Sequence, residues 1–328
     1  MSGKGRIDAM ISTLDAVVSL LADEGIYRVD LPMRSVSPNV RQVNAWLLAR
    51  PDGSGDLYDT GTAEACAAAG LERALEDAGV RRLDRLVVSH GHPDHVGQAL
   101  ALRAAHGSEL LVPEGLYSPR QEDEIVRQSF LRLAGAPTFD ASEAASWQAT
   151  GARTVAGGTT LPLGRRLWHA EIQGGHAPAS LLLFSDCGRF VFSADQLLPG
   201  IGTFVGVSPG CPLDNCLGRQ IGHLERLMQV PPDMIALPGH GVPFAGIPRV
   251  AAAQIGSYRR RLDRLLASLD RPGTCAELTA IMFRPPVSDI GRMVQLRMAM
   301  AFCNFLVEEG ALEAGENSEG ARIFFRAG

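Results

Sequence analysis

Three histidines and an aspartate stand within six positions of the segment VVSHGHPDHVGQA, at residues 87–99. An apolar segment, LDRLVVS, leads into them and is predicted to be a strand, whereas GQALALRAAHG after them is predicted to be a helix. The chain has only 8 histidines among 328 residues, so this density is unusual. The segment is therefore either a histidine-rich polar turn or half of a metal site whose other ligands lie elsewhere. The four residues are His90, His92, Asp94 and His95.

The spacing of these four residues favours a site with two positions. In an extended turn, alternate residues such as His90 and His92 can point the same way. Asp94 and His95 then project toward a second position, as the chain bends into the predicted helix. One short loop could thus supply ligands to two metal ions.

Further histidine and carboxylate side chains also follow apolar strands. His176 comes after WHAEIQGG, Asp195 ends FVFSAD, and His240 follows IALPG. If these strands share a sheet edge with the strand before His90, their ends converge there, and loops on a rigid scaffold are where chemistry tends to lie. Neutral imidazole and carboxylate are good ligands for zinc, iron or manganese. The lone histidines His106, His169 and His223 are instead expected to be structural or surface residues.

Asp59, in the segment YDTGT, has two interpretations from spacing alone. It is either a turn residue or a residue that orients a ligand histidine without touching the metal itself. Both interpretations stay open at this point.

The order of predicted strands and helices indicates a layered α/β fold. Hairpins and crossover connections alternate along the chain, which suits mixed sheets better than a purely parallel, doubly wound sheet. From about residue 250 the pattern changes to three helices followed by a hairpin, with a capping box from Thr274 to Glu277 at the start of the second helix and Gly310 as the stop of the third. Three helices and a hairpin are typical of a winged helix.

Composition excludes few classes of protein but limits the partners. The net charge of -5 argues against a protein that coats nucleic acid. No segment approaches the ~18 uninterrupted apolar residues that a membrane span needs. The N-terminus lacks the pattern of a signal peptide, and the six scattered cysteines form no CxxC pair, so we expect a cytoplasmic protein with free thiols.

On these residues the sequence resembles the metallo-β-lactamase-fold hydrolase superfamily. The matching segments occur in the expected order between residues 44 and 241, which makes the resemblance specific. It implies an αββα sandwich of two mixed β-sheets flanked by helices, followed by a small winged-helix-like α+β domain. The segments are YDTG with Asp59, HGHPDH with His90 to His95, GGHAP with His176, SADQ with Asp195 and LPGHG with His240.

The resemblance also implies a role for each residue. His90, His92 and His176 would hold a first metal ion, while Asp94, His95 and His240 would hold a second, with Asp195 as a bridge. The nucleophile would be a metal-bound hydroxide, and Asp94 would be the catalytic residue that carries the proton to the leaving group. Zinc is the expected metal, with iron or manganese as alternatives. The chain has a histidine and not a glutamate at position 92, so it does not resemble the flavodiiron oxygen reductases. Because positions 195 and 240 are both filled, a two-metal site is favoured over the one-iron site of persulfide dioxygenases.

The predicted tail points to a narrower group, which includes glyoxalase II-like and lactamase-beta-2-like proteins. The resulting domains are an N-terminal helical extension at 1–24, a metal hydrolase domain at 25–249 and a winged-helix-like domain at 250–328. Many relatives carry a second histidine shortly after the third motif, and here Ser180 stands at that place. That departure weakens the inference that this chain shares the substrate of glyoxalase II.

The leading functional hypothesis is a dinuclear hydrolase of a small thioester or ester, of the acyl-glutathione or acyl-CoA type. A lactonase and an endoribonuclease are alternatives, and a DNA-binding regulator is a further one. The run SYRRRLDR is either a solvated face or an RNA contact, but residues 251–328 hold 10 Arg against 9 Asp plus Glu, which does not favour phosphate binding. The third tail helix is apolar, so we expect it to form a homodimer or to close an edge of the active site rather than to read DNA.

Overall fold

The computed structural model describes residues 14–33, 41–116, 124–138, 151–200 and 202–328. Residues 14–23, within the predicted N-terminal extension, form a helix, α1, while residues 1–13 of that extension lie outside the described residues. Of residues 118–150, which are polar and helix-like in sequence, 124–138 are described and include the helix α5 (Glu124–Leu133), and the others lie outside the described residues. After α1, the elements up to residue 238 are β1 (Ile26–Pro32), β2 (Gln42–Ala49), β3 (Ser54–Tyr58), α2 (Ala65–Asp77), β4 (Arg82–Val87), α3 (Pro93–Val96), α4 (Ala99–His106), β5 (Glu109–Pro113), α5 (Glu124–Leu133), β6 (Arg153–Val155), β7 (Thr160–Leu163), β8 (Arg166–Gln173), β9 (Ser180–Ser185), β10 (Phe190–Ala194), α6 (Cys216–Leu227) and β11 (Ile235–Pro238).

Two mixed sheets form the larger part of the fold. In the described chain the first sheet has the order β1-β2-β3-β4-β5-β6, antiparallel up to β3 and parallel from β3 onward. The second has the order β11-β10-β9-β8-β7, in which only β10 and β11 are parallel neighbours. The prediction of two mixed sheets is confirmed.

Apolar residues on facing strands hold the two sheets together. Trp46 and Tyr58 of the first sheet meet Trp168 and Phe192 of the second, and the rings of Tyr58 and Phe192 stack with centroids 4.5 Å apart. Such aromatic pairs bury much apolar area and contribute more than their area alone. This layer places the ends of both sets of strands at one edge of the sandwich.

Helices cover the outer faces of both sheets. Leu71 of α2 and Ala99 of α4 pack on the first sheet, and Leu224 of α6 packs on the second. Because strands such as β2 are covered on both faces, they are apolar almost throughout rather than alternating, and all of β2 after Gln42 is buried. The layers are therefore the helix–sheet–sheet–helix sandwich that the sequence predicts.

The strands β1, β6 and β7 were not predicted from the sequence. β6 has three residues and β7 four, which is too short for a clear period. β1 lies at an edge and exposes Tyr27 and Arg28 in succession, which breaks the alternation expected of a strand. Edge strands depend on their neighbour's hydrogen bonds, and these are visible only in the fold.

The C-terminal part has three helices followed by a hairpin, in the predicted order. The capping box is present, because the side chain of Thr274 accepts a hydrogen bond from the Glu277 backbone and the Glu277 side chain accepts one from that of Thr274. Gly310 follows the last helix with a φ of 71°, which suits glycine. The elements are α7 (Ile247–Ser268), β12 (Gly273–Thr274), α8 (Cys275–Met282), α9 (Asp289–Glu308), β13 (Leu312–Glu316) and β14 (Arg322–Arg326).

The C-terminal elements share a core with the second sheet. Tyr258 of α7 and Phe302 of α9 pack with ring centroids 6.1 Å apart, in the same cluster as Val191 of β10 and Ala236 of β11. The description of this part as a winged helix, and the boundary near residue 250, stay predictions. Among the described residues, no helix is long and apolar enough to cross a membrane.

Candidate metal centre

The structure brings together every predicted ligand at one edge of the sandwich. His90 and His92 lie in the loop after β4, and the single turn α3 carries Asp94 and His95. His176 follows β8, while Asp195 and His240 follow β10 and β11.

The strands that position these ligands belong to two sheets. The condition that they share one sheet edge is not met, because β4 lies in the first sheet whereas β8, β10 and β11 lie in the second. The ends converge because the sheets pack face to face, so that loops from both meet over the aromatic layer. Sequence periodicity does not distinguish strands of one sheet from strands of two.

A first group of three imidazoles points its ring nitrogens at one place. Nε2 of His90 lies 3.0 Å from Nδ1 of His92, and Nε2 of His176 lies 3.1 Å and 2.8 Å from those two atoms. The three rings are nearly perpendicular to one another. Three ring nitrogens at such distances, from rings at such angles, are an arrangement that a shared cation would stabilise.

A second group combines a carboxylate with two imidazoles. Nε2 of His240 lies 3.3 Å from Oδ2 of Asp94, and Nε2 of His95 lies 3.7 Å from the same oxygen. Asp195 lies between the two groups. Its Oδ2 is 3.2 Å from Nε2 of His240 and 3.6 Å from Nε2 of His176, and its Oδ1 is 3.6 Å from Nε2 of His95.

Two buried atoms of this arrangement test whether a metal fits. Nε2 of His95 and Oδ1 of Asp195 are buried and have no hydrogen-bond partner in the described structure. A buried polar atom without a partner costs about 1–3 kcal/mol, so such atoms at the centre of a site indicate a missing partner. Imidazole nitrogen and carboxylate oxygen suit zinc, iron or manganese. The residues therefore fit a divalent metal ion.

The outward-facing nitrogens of four histidines are each held by a hydrogen bond. Such bonds fix the ring orientation and decide which nitrogen of a neutral imidazole keeps its lone pair, an arrangement common in metal-binding histidines. The contacts of Nδ1 are to Oγ of Ser89 for His90 (2.8 Å), to Oδ2 of Asp59 for His95 (2.7 Å), to the backbone oxygen of Phe204 for His176 (2.8 Å) and to that of Gln42 for His240 (2.7 Å).

Asp59 connects two ligand segments. Besides the bond from His95, its carboxylate accepts hydrogen bonds from the backbone N–H of Ser89 (2.7 Å) and from the hydroxyl of Ser89 (2.8 Å). Its geometry corresponds to the second interpretation of the sequence, that of a residue that orients a histidine. Asp59 has a φ of 62°, and Ala194, directly before Asp195, has a φ of 45°. Strained backbone of this kind persists where surrounding contacts enforce it, commonly at functional sites.

Burial keeps the first group of imidazoles neutral. Burial, together with the neighbouring histidines, lowers the pKa of His90 well below its usual value, and burial and His176 lower the pKa of His92 to about 3. Burial also lowers the pKa of His176. A metal ion needs neutral imidazole, so this group is ready to bind one across the physiological pH range.

The second group behaves in the opposite way. Burial lowers the pKa of His240, but Asp195 and Asp94 outweigh it and raise this pKa to about 10. Asp195, Asp59 and Asp94 likewise raise the pKa of His95 well above its usual value, against its burial. Burial raises the pKa of Asp94, but His95 and His240 lower it to about 2. Without metal, the protonated forms of the His95 and His240 imidazoles are therefore favoured.

Other residues that support the site were missed by the sequence analysis. The side chain of Asn44 in β2 donates to the backbone oxygens of Pro238 (2.9 Å) and Gly241 (2.8 Å), on both sides of His240. Gln196 donates to the backbone oxygens of Gln173 and Gly174, just before His176. A polar residue inside an apolar strand, as in NAWLLA, was the available signal for Asn44.

A cleft of about 610 Å³, including its open mouth, adjoins the first group of histidines. Its walls come from the loops that carry His92 and His176, from the segment after β10, from α6 and from Arg297 of α9. The C-terminal part therefore contributes directly to the cleft. That the third tail helix closes an edge of the site stays a prediction.

Comparisons with known proteins point to one family. The family model described as the metallo-beta-lactamase superfamily matches residues 38–240. A beta-lactamase domain protein from Burkholderia ambifaria is 24% identical, with a TM-score of 0.77, and the match covers 92% of this chain and 91% of that one. A metallo-beta-lactamase family protein from Thermus thermophilus is 22% identical, with a TM-score of 0.77, and the match covers 92% and 98% of the two chains. A search of curated proteins finds no match.

Proposed function

The chain belongs to the metallo-beta-lactamase superfamily, whose members are metal-dependent hydrolases, and from this premise we propose a specific activity. We propose that the protein binds two divalent ions, zinc in the first place, and hydrolyses a small thioester or ester. One observation carries the proposal: His90, His92 and His176 form one potential metal-binding group, and Asp94, His95 and His240 form another. Asp195 contacts both groups and would bridge the two ions.

When bound, the ions would lower the pKa of water toward neutrality and polarise the acyl oxygen of the substrate. The chain's own residues would manage the proton. His95 and His240 lower the pKa of Asp94 against its burial, which favours the ionised carboxylate in the metal-free protein. Oδ2 of this carboxylate would carry the proton to the leaving group. Its contact with Nε2 of His240, at 3.3 Å, holds this oxygen in place.

The cleft supports a small substrate. His92 and His176 line it, so a short acyl compound bound there would lie beside the first group of histidines. We therefore keep an acyl-glutathione or acyl-CoA type of thioester as the leading substrate class, with a lactone as the alternative ester. The glyoxalase II-like grouping, a cytoplasmic location and a homodimer through the C-terminal part remain elements of this proposal.

A ribonuclease has less support. The arginine run of α7 makes intramolecular contacts, because Arg259 lies 3.8 Å from Glu225 and Arg261 packs over the ring of Phe283 at 6.0 Å. The ring contact engages Arg261, whereas the pair of Arg259 with Glu225 is exposed and contributes little. The near-neutral charge of residues 251–328 points the same way.

The experiment combines metal analysis with a substrate panel. Metal content per chain would be measured after gentle purification, and turnover would be measured with S-lactoylglutathione, acetyl-CoA, a lactone and a short RNA. We expect two ions per chain, and thioester turnover that falls about 100-fold or more in Asp94→Asn. The exposed Asp233, changed to Asn, is the matched control and should leave turnover unchanged. Well below one ion per chain, or activity on RNA alone, would overturn the proposal.

A further inference from the structure

Arg297 is unusual among the residues of α9. The helix is mostly buried and apolar, with Met293, Leu296, Met298 and Met300 all in the core. Arg297 lies half-buried between them and lines the cleft beside the first group of histidines.

A hydrogen bond and a ring contact help to hold the Arg297 side chain in place. Its Nε donates a hydrogen bond to the backbone oxygen of Val207 (2.8 Å), and its guanidinium carbon lies 5.3 Å from the centroid of the Phe204 ring. The backbone of Val207 also donates to that of Arg297, at 3.2 Å. An arginine fixed in this way loses little further conformational entropy when it binds a ligand.

The Phe204 ring connects Arg297 with the metal-binding histidines. Its centroid lies 6.4 Å from that of His92 and 6.0 Å from that of His176. A ligand that occupies the cleft can therefore contact both the guanidinium and the metal-binding side.

The charges around the cleft favour an anion. Among the described residues that line it, two are arginines and one is an acid, Asp214. Asp214 is engaged by Arg219, whose guanidinium donates to it at 2.7 Å. A positively charged cleft with low-dielectric walls concentrates anionic ligands.

We propose that Arg297 forms an anion-binding subsite, which selects substrates that carry a carboxylate or phosphate a short distance from the scissile bond. The inference rests on the proposed hydrolase function and narrows its substrate class. Guanidinium binds carboxylate and phosphate through parallel hydrogen bonds, which gives both affinity and orientation. The helix that the sequence analysis assigns to packing thus supplies a specificity-determining side chain.

The kinetic test compares matched charged and neutral thioesters. S-acetyl thioglycolate and S-ethyl thioacetate differ by a carboxylate on the thiol side, and S-ethyl thiosuccinate and S-ethyl thiobutyrate differ by one on the acyl side. We expect kcat/KM to favour the charged member of at least one pair, and that preference to fall about 10- to 100-fold in Arg297→Met. Arg297→Lys, which keeps the charge, should retain part of the preference for the charged thioester. Arg292→Met, on the same helix but outside the cleft lining, is the matched control and should behave like the wild type.

A purely structural role for Arg297 predicts a different outcome. Because Phe204 accepts a hydrogen bond from His176, loss of Arg297 could act by disturbing that histidine. Equal losses of kcat/KM for charged and neutral thioesters, together with a lower metal content in Arg297→Met, would therefore overturn the subsite.

A binding measurement separates this inference from the proposed reaction. Calorimetry on the metal-loaded protein would compare glutarate with pentanoate, in which a methyl group replaces one carboxylate. Preference for glutarate in the wild type and its loss in Arg297→Met would support the subsite, even if no thioester is hydrolysed and the proposed function fails. Equal binding of the two acids, in a protein that hydrolyses charged and neutral thioesters equally, would overturn the subsite while the hydrolase function stands.

Discussion

The carboxylate of Asp59 accepts a hydrogen bond of 2.7 Å from Nδ1 of His95. When this imidazole is neutral, its hydrogen therefore lies on Nδ1, and Nε2 keeps the lone pair. Nε2 is the buried atom without a hydrogen-bond partner, 3.6 Å from Asp195. Asp59 thus prepares His95 to bind a metal without touching the ion itself.

The Asp59→Asn variant tests this relationship. Asparagine tolerates the left-handed backbone at this position, where φ is 62°, and keeps the shape of the side chain. However, its amide places a donor against either Ser89 or His95, where the carboxylate accepts from both. We expect metal affinity and turnover to fall about 10- to 100-fold, measured by metal titration and steady-state kinetics. Unchanged affinity would show that the ring needs no such orientation.

The Gly239→Ala variant should damage the site through steric overlap. A Cβ at Gly239 would lie 2.1 Å from Oδ1 of Asp195 and 2.8 Å from Cε1 of His95, so both ligands must move. We expect loss of bound metal and a fall in the free energy of unfolding of about 1–3 kcal/mol. Gly222→Ala is the matched control, because no atom lies within 4 Å of its Cβ in helix α6, and it should stabilise by up to about 1 kcal/mol. Full metal content in Gly239→Ala would contradict this prediction.

The Asn44→Ala variant should loosen the loop that carries His240. It removes two hydrogen bonds to backbone oxygens, at a cost of about 0.5–1.5 kcal/mol each in the free energy of unfolding. Both oxygens keep a second donor, Trp46 for Pro238 and Arg28 for Gly241, so neither is left without a partner. Urea unfolding would measure this cost, and metal analysis should show loss from the group that includes His240. Asn304→Ala, whose side chain also donates to two backbone oxygens, should lose similar stability but keep its metal. Equal metal loss in both variants would mean that instability alone releases the ions.

The two groups of ligands should respond differently to pH. In the metal-free protein, the pKa of about 10 keeps His240 protonated at neutral pH, so a metal ion must displace that proton. Metal affinity of the second group should therefore fall about tenfold per pH unit, for each proton displaced, as the pH is lowered from about 9 to about 6. The pKa of about 3 leaves His92 neutral over the same range, so the first group should change little.

Metal titrations across this pH range would show which group empties first. Calorimetry in two buffers with different ionisation enthalpies would count the protons released on binding. We expect proton release for the ion that binds the second group of ligands and little for the ion that binds the first group. Proton release of equal size for both ions would contradict the assignment of charges in the two groups.

The sequence predicted the layered α/β fold, and it also singled out residues that the structure brings together. The histidine and aspartate side chains were recognisable because each follows an apolar strand, and strand ends are detectable from local pattern. Asn44 and Gln196 were not singled out, because their hydrogen bonds go to backbone atoms that are remote in the sequence. The short strands β6 and β7 were also missed, because three or four residues give no period and their pairing comes from neighbouring strands.

The sequence by itself determined which ligand chemistry is available, because the type and local spacing of His90, His92, Asp94 and His95 are properties of a single loop. Only the tertiary structure decided how the ligands are grouped. Asp195 lies between the two groups because β4 and β10 belong to different sheets that pack face to face. It likewise placed Arg297 at the cleft, since helix packing depends on a core shared by residues far apart in the chain. The local sequence determines which ligand side chains are available, whereas long-range packing determines which of them lie together.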